Sequence, residues 1–152
     1  MNTSKVFLGG TCNNSTWRDE LIKQLEISYY NPVVENWTPA CMDEERKQRT
    51  ECDYCLYVIT PEMTGVYAIA EAVDDSNKQP KKTIFCFVDE YGGHKFNQGQ
   101  IKSLNEVGKM IARNGGYYLS TIEIVAMFLN SKGCAGTPQP GVSCSPKSPS
   151  PL

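Results

Sequence analysis

The chain has 152 residues, of which 40% are hydrophobic and 21% charged, enough for one globular domain with its own apolar core. A formal net charge of −2 argues against a nucleic-acid backbone or an anionic membrane as partner, since both attract basic surfaces. No run is apolar and long enough to cross a bilayer, and no apolar stretch follows a basic start as in a secretory leader, so a cytoplasmic protein is expected.

In chain order, Lys5–Gly9 reads as a strand that ends in the pair Gly9-Gly10. Ser15 or Thr16 caps a helix expected to run to Ile27, with Trp17, Leu21 and Leu25 at four-residue spacing. Tyr29–Glu35 is a second strand, and Thr38-Pro39 opens a charged helix that continues to Glu51. Tyr54–Thr60 is apolar throughout, the mark of a strand buried on both faces. A helix from Thr64-Gly65 to Ser76 follows, then the apolar strand Thr83–Val88 and a polar loop, Asp89–Asn97, that holds His94, the one histidine. Gln98–Arg113 is helical, Tyr117–Leu119 is a short strand, and Ser120-x-x-Glu123 caps a last helix ending near Leu129.

This alternation predicts an α/β domain over residues 1–130: a three-layer, flavodoxin-like or Rossmann-like arrangement with helices on both faces of the sheet. Its five parallel strands are expected in the order 2-1-3-4-5. Residues 131–152, rich in proline, glycine and serine, are expected to form a disordered tail. Seven cysteines, an odd number, are scattered through strands, loops and tail. They do not form a disulfide framework, and Cys52-x-x-Cys55 lacks the second ligand pair of a zinc site, so neither a metal nor a cofactor is expected.

Ligands of such a sheet bind outside the carboxyl ends of the strands where strand order reverses, here between the first and third strands. After the first strand come Gly9, Gly10, Thr11, Asn13, Asn14, Trp17 and Arg18. The glycines let backbone approach a ligand, and the amides ahead of the helix can hold an oxyanion. After the third strand come Glu62, Gly65, Tyr67 and Glu71. On periodicity Val66, Ile69, Ala70 and Val73 face the sheet, which leaves Glu71 as a solvated carboxylate.

At these residues the chain resembles the nucleoside 2-deoxyribosyltransferases, from Lys5 to about Asn130. The features that carry the likeness are the small residues ending Lys5–Gly10, Asp53 at the start of the third strand, and Gly65 followed by Glu71. A strand after the basic turn Lys81-Lys82 completes them. The resemblance implies that Glu71 is the nucleophile at the anomeric carbon and that Asp53 holds or protonates the base. It implies that the turn Gly10–Asn14 lines the sugar pocket, with Trp17, Trp37 or Tyr67 stacked on the base. Phe7 stands where the family carries a tyrosine that orients the glutamate, and Glu62 lies near the place of a second aspartate.

The partner implied is a small molecule, a deoxynucleoside, nucleotide or nucleobase, and the protein a homo-oligomer. Arg18, Ser15 and the amides near Asn13-Asn14 are the candidate phosphate anchor for a nucleotide. Two alternatives stand beside deoxyribosyl transfer or hydrolysis: a nucleotide-binding or sensor module without turnover, and a nicotinamide-nucleotide glycohydrolase of the TIR type.

Overall fold

A computed structural model describes residues 4–133. Five strands form one parallel sheet: β1 (Lys5–Gly10), β2 (Ser28–Tyr30), β3 (Tyr54–Ile59), β4 (Thr83–Phe87) and β7 (Tyr117–Leu119), in the order β2-β1-β3-β4-β7. Counted by the strands of this sheet, that is the expected 2-1-3-4-5 order, with every neighbour parallel.

Alternation along the strands sorts the core into two layers, because successive strand residues point to opposite faces. Val6, Leu8, Leu56, Val58, Ile84 and Cys86 face α1 (Trp17–Ile22) and α5 (Ile122–Gly133). Phe7, Tyr57, Ile59, Phe85 and Phe87 face α3 (Tyr67–Lys78) and α4 (Gln98–Arg113). Each large side chain withdrawn from water in this way contributes roughly 1.5–3 kcal/mol. Helix α2 (Pro39–Glu51) lies on the second face and reaches α3 through Arg49.

Several elements differ from expectation, each for a local reason. Helix α1 stops at Ile22, where Gln24 and Leu25 bond back three residues instead of four, a tightened last turn. Strand β2 ends at Tyr30 because Pro32 has no amide to continue a ladder. The segment 89–97 is not a plain loop: β5 (Glu90–Tyr91) and β6 (His94–Lys95) form a hairpin. Its two turn residues, Gly92 (φ 58°) and Gly93 (φ 80°), adopt the left-handed conformation that such a turn requires. The last helix is capped by Thr121, whose Oγ1 accepts the Ile124 amide at 3.1 Å, and not by Ser120. It runs on to Gly133, so residues 131–133 are helical, and the tail expected beyond them lies outside the described residues. Among the described residues no helix is long and apolar enough to cross a membrane.

Candidate active site

The switch between β1 and β3 is built around a turn that only glycine permits. Gly10 closes β1 at φ 122°, and a Cβ there would lie 2.0 Å from the Val58 carbonyl oxygen. The chain then bends sharply through Asn13 (φ 46°) and Asn14 (φ 61°), the residue type that tolerates this region best after glycine. Thr11 stitches the turn to β3: its amide donates to the Val58 carbonyl and its hydroxyl accepts the Thr60 amide, both at 2.9 Å.

Beneath the turn, Trp17 and Arg18 are fixed parts of the scaffold. Trp17 is fully buried and donates its indole N–H to the Thr11 carbonyl at 2.8 Å. Arg18, also buried, donates to the carbonyls of Leu8 (2.9 Å), Thr11 (2.7 Å) and Gly10 (3.3 Å), with its guanidinium 4.4 Å from the Trp17 ring centroid. These contacts leave Trp17 no free face for a base and occupy the Arg18 donors a phosphate would need, which corrects both expectations.

A cavity of about 340 Å³ opens above this turn. One wall is Gly10, Thr11, Cys12 and Asn13; the other is Met63, Thr64, Gly65, Tyr67, Ala68 and Glu71, with Ile59 at the floor. Two clamps hold the walls together. The Asn13 side-chain amide donates to the Glu62 carbonyl (3.0 Å) and to the Thr64 hydroxyl (2.9 Å), and Ser15 donates to the Glu62 carboxylate at 2.6 Å. Tyr67 stands at the mouth, 69% exposed.

Glu71 turns into this cavity instead of into bulk water, contrary to its expected solvated position. Its side chain is 18% exposed, and its carboxylate meets Arg49 at 3.1 Å. Arg49 is held in turn by Asp75, at 2.7 Å and 3.4 Å, and Asp75 accepts the Tyr57 hydroxyl at 2.5 Å. The result is a continuous chain, Tyr57–Asp75–Arg49–Glu71, that joins the middle strand to three charged side chains on two helices. Burial pushes the Glu71 carboxyl above its ordinary range; Arg49 pulls it back, and Glu45 and Asp75 push it further up. Burial also holds Tyr57 far above the usual phenol range, reinforced by Asp75, so it stays a neutral donor. Arg49 is lowered by burial but raised more by Asp75, Tyr57 and Glu71, and it remains cationic.

Of the residues expected at the site, Gly10, Thr11, Asn13, Gly65, Tyr67 and Glu71 meet at the cavity. Gly9 is buried in the sheet, where a Cβ would lie 2.7 Å from the Tyr57 ring. Glu62 braces the turn from behind, and Asn14 shapes it. Trp37 is 56% exposed in the segment before α2 and is not part of the lining. Asp53 is the clearest departure. It precedes β3, where its carboxylate accepts the Lys5 amide at 2.8 Å. All of β3 before Ile59 lies between it and the cavity floor, roughly 20 Å at the rise of a strand. Asp53 therefore does not line the cavity that Glu71 enters.

Sequence reasoning missed Arg49, Tyr57 and Asp75. A signal existed: Asp75 follows Glu71 by four residues, on the same side of α3. Cys52 and Cys55 are buried thiols, raised by burial and directed at Gln48 Oε1 and the Arg49 carbonyl. Among the described residues no group of three or more His, Cys, Asp or Glu is placed to hold a metal ion.

No curated protein and no solved structure matches the chain. The model of one family, described as nucleoside 2-deoxyribosyltransferase like, matches residues 3–91, which span β1 to β5 and every wall of the Glu71 cavity. With more than half its length matched, and with a carboxylate at the strand-order switch of a parallel sheet, the chain belongs to the nucleoside 2-deoxyribosyltransferase-like family.

Proposed function

We propose that the protein cleaves the N-glycosidic bond of a deoxynucleoside through Glu71. The carboxylate attacks the anomeric carbon, the bond to the base breaks, and the electron pair leaves with the base nitrogen, which takes up a proton from solvent water. A second base, or water, then attacks the glycosyl-enzyme and frees the carboxylate. The observation that carries this reading is the 3.1 Å contact by which Arg49 fixes Glu71 at the wall of a base- and sugar-sized cavity. Arg49 opposes the effect of burial on Glu71, which favours the ionised form that attack requires.

A neutral nucleoside is favoured over a 5′-monophosphate, because the lining contains no cation and Arg18 is committed to carbonyls. Tyr67, at the mouth, is the aromatic placed to stack on the base. One observation favours a binding module without turnover: with Asp53 at the far edge, Glu71 is the single carboxylate of the lining.

The test incubates the protein with deoxynucleosides and a free base, with nicotinamide nucleotides as a separate arm, and Glu71→Gln as control. Base exchange identifies a transferase, and free deoxyribose a hydrolase. Either activity is expected to fall by at least about 10³-fold in Glu71→Gln. Turnover that survives the substitution refutes Glu71 as nucleophile, and a ligand-dependent rise in melting temperature without turnover selects the binding module.

A further inference from the structure

A second cavity, of about 400 Å³, opens on the same sheet edge over the ends of β4 and β7. It shares no lining residue with the Glu71 cavity. Its apolar surface comes from Phe87 and Tyr118, whose rings stack at 6.3 Å with 20° between planes, and from Ile101 on α4. Four polar residues complete it: Asp89, Asn105, Ser120 and Thr121, the last with its hydroxyl already accepting the Ile124 amide.

The hydrogen bonding at Asn105 decides what this cavity can recognise. The Tyr118 hydroxyl donates to Asn105 Oδ1 at 2.5 Å. That bond fixes the amide with its oxygen engaged and its NH₂ group left to donate. Burial, then Cys86 and Asp89, push the Tyr118 phenol up to about 12, so the arrangement persists through neutral pH. Asp89, on the exit from β4, adds a carboxylate to the same lining and acts electrostatically on Tyr118. The lining holds a carboxylate and no lysine or arginine, which disfavours phosphates and carboxylates.

A fitting ligand therefore has a flat apolar body, an N–H for Asp89, and a carbonyl for Asn105. A ring lactam has both groups on one edge. We propose that this cavity is a binding site for a free lactam heterocycle, a 6-oxopurine or a pyrimidine of that class. Its ring N–H is accepted by Asp89, and its ring carbonyl accepts from Asn105. The site is independent of Glu71 and of any turnover at the first cavity.

The experiment is calorimetric titration of the full chain with hypoxanthine, with 1-methylhypoxanthine, which keeps the carbonyl but lacks the N1–H, and with adenine, which lacks the carbonyl. Hypoxanthine is expected to bind at least tenfold more tightly than either analogue. Asp89→Ala is expected to weaken hypoxanthine by at least tenfold, and Glu71→Gln to leave its affinity unchanged. Asp89 is exposed, and a melting curve of the variant checks its folding; the analogue comparison needs no variant at all. No heat with hypoxanthine, equal binding of 1-methylhypoxanthine, or loss of binding in Glu71→Gln with Asp89→Ala unaffected would each overturn the proposal. Failure of Glu71 chemistry shows separately, as absent turnover with hypoxanthine binding intact.

Discussion

Arg49 is the side chain on which the Glu71 site turns, and Arg49→Met tests it. Methionine keeps an unbranched apolar stem and removes the guanidinium that meets Glu71 at 3.1 Å and Asp75 at 2.7 Å. Asp75, with a side chain 5% exposed, would then keep the Tyr57 hydroxyl but no counter-charge. Breaking a buried pair from one side costs about 3–5 kcal/mol. For a domain of this size that corresponds to a fall in melting temperature of about 10–20 °C.

The pH dependence gives a sharper check. Burial already raises Glu71, and Arg49 is the charge that pulls it down. Without Arg49 the carboxyl titrates higher, so the acid limb of kcat/KM moves to higher pH. The stability sign follows from the same shift. An acid raised in the folded state contributes stability that is complete below its ordinary range and is lost as pH rises through the raised value. The deficit of Arg49→Met relative to the parent should therefore widen from about pH 4 to pH 8, followed by thermal unfolding at each pH. A double-mutant cycle with Glu71→Gln should give a coupling of about 1 kcal/mol or more. A melting temperature within about 3 °C of the parent, together with an unmoved acid limb, would refute the role assigned to Arg49.

Three further outcomes are expected. Gly10→Ala drives a Cβ to 2.0 Å from a backbone oxygen at φ 122°; a loss of about 3 kcal/mol or more should appear as a urea midpoint lower by about 1.5 M. Tyr67→Ala removes the aromatic at the mouth and should raise KM by roughly 3- to 10-fold at little change in kcat. Alkylation at pH 8 should label the exposed Cys12 in the native protein but spare Cys55 and Cys86, whose thiols burial pushes up to about 12. Peptide mass spectrometry reads the pattern, and native labelling of Cys86 would contradict its place in the core.

The sheet was legible because its strands announce themselves. Tyr54–Ile59 and Thr83–Phe87 are apolar on both faces, as strands covered by helices must be. The Gly-Gly turn after β1 and the strand-order rule together located the cavity. Side-chain roles were harder to read. Trp17 and Arg18 follow the switch turn in sequence, yet both point inward and fasten its carbonyls from below. Periodicity misplaced Glu71 because it counts apolar residues alone. The inward side of α3 includes Asp75 and Ser76, which are satisfied by Tyr57, Arg49 and Asn114. Asp53 was carried in by resemblance, although the start of a parallel strand lies at the edge opposite the ligand.

Because every pairing in the main sheet is parallel, no strand can find its neighbour through a tight reverse turn. On the ribosome, β1 meets β2 from Ser28 onward but gains its second neighbour only with β3 at Tyr54, and β4, which finds β3 already made, keeps an open edge until β7 ends at Leu119. All residues of the Glu71 cavity and its supports lie between Gly9 and Asp75, so they emerge while the far strand is still untranslated. The cavity over β4 and β7 needs Ser120 and Thr121 and can close only near the end of synthesis. The residues that make the two hollows of one sheet edge are thus delivered at different times, while α3, which carries Glu71, gains its full packing only when β4 and α4 have followed.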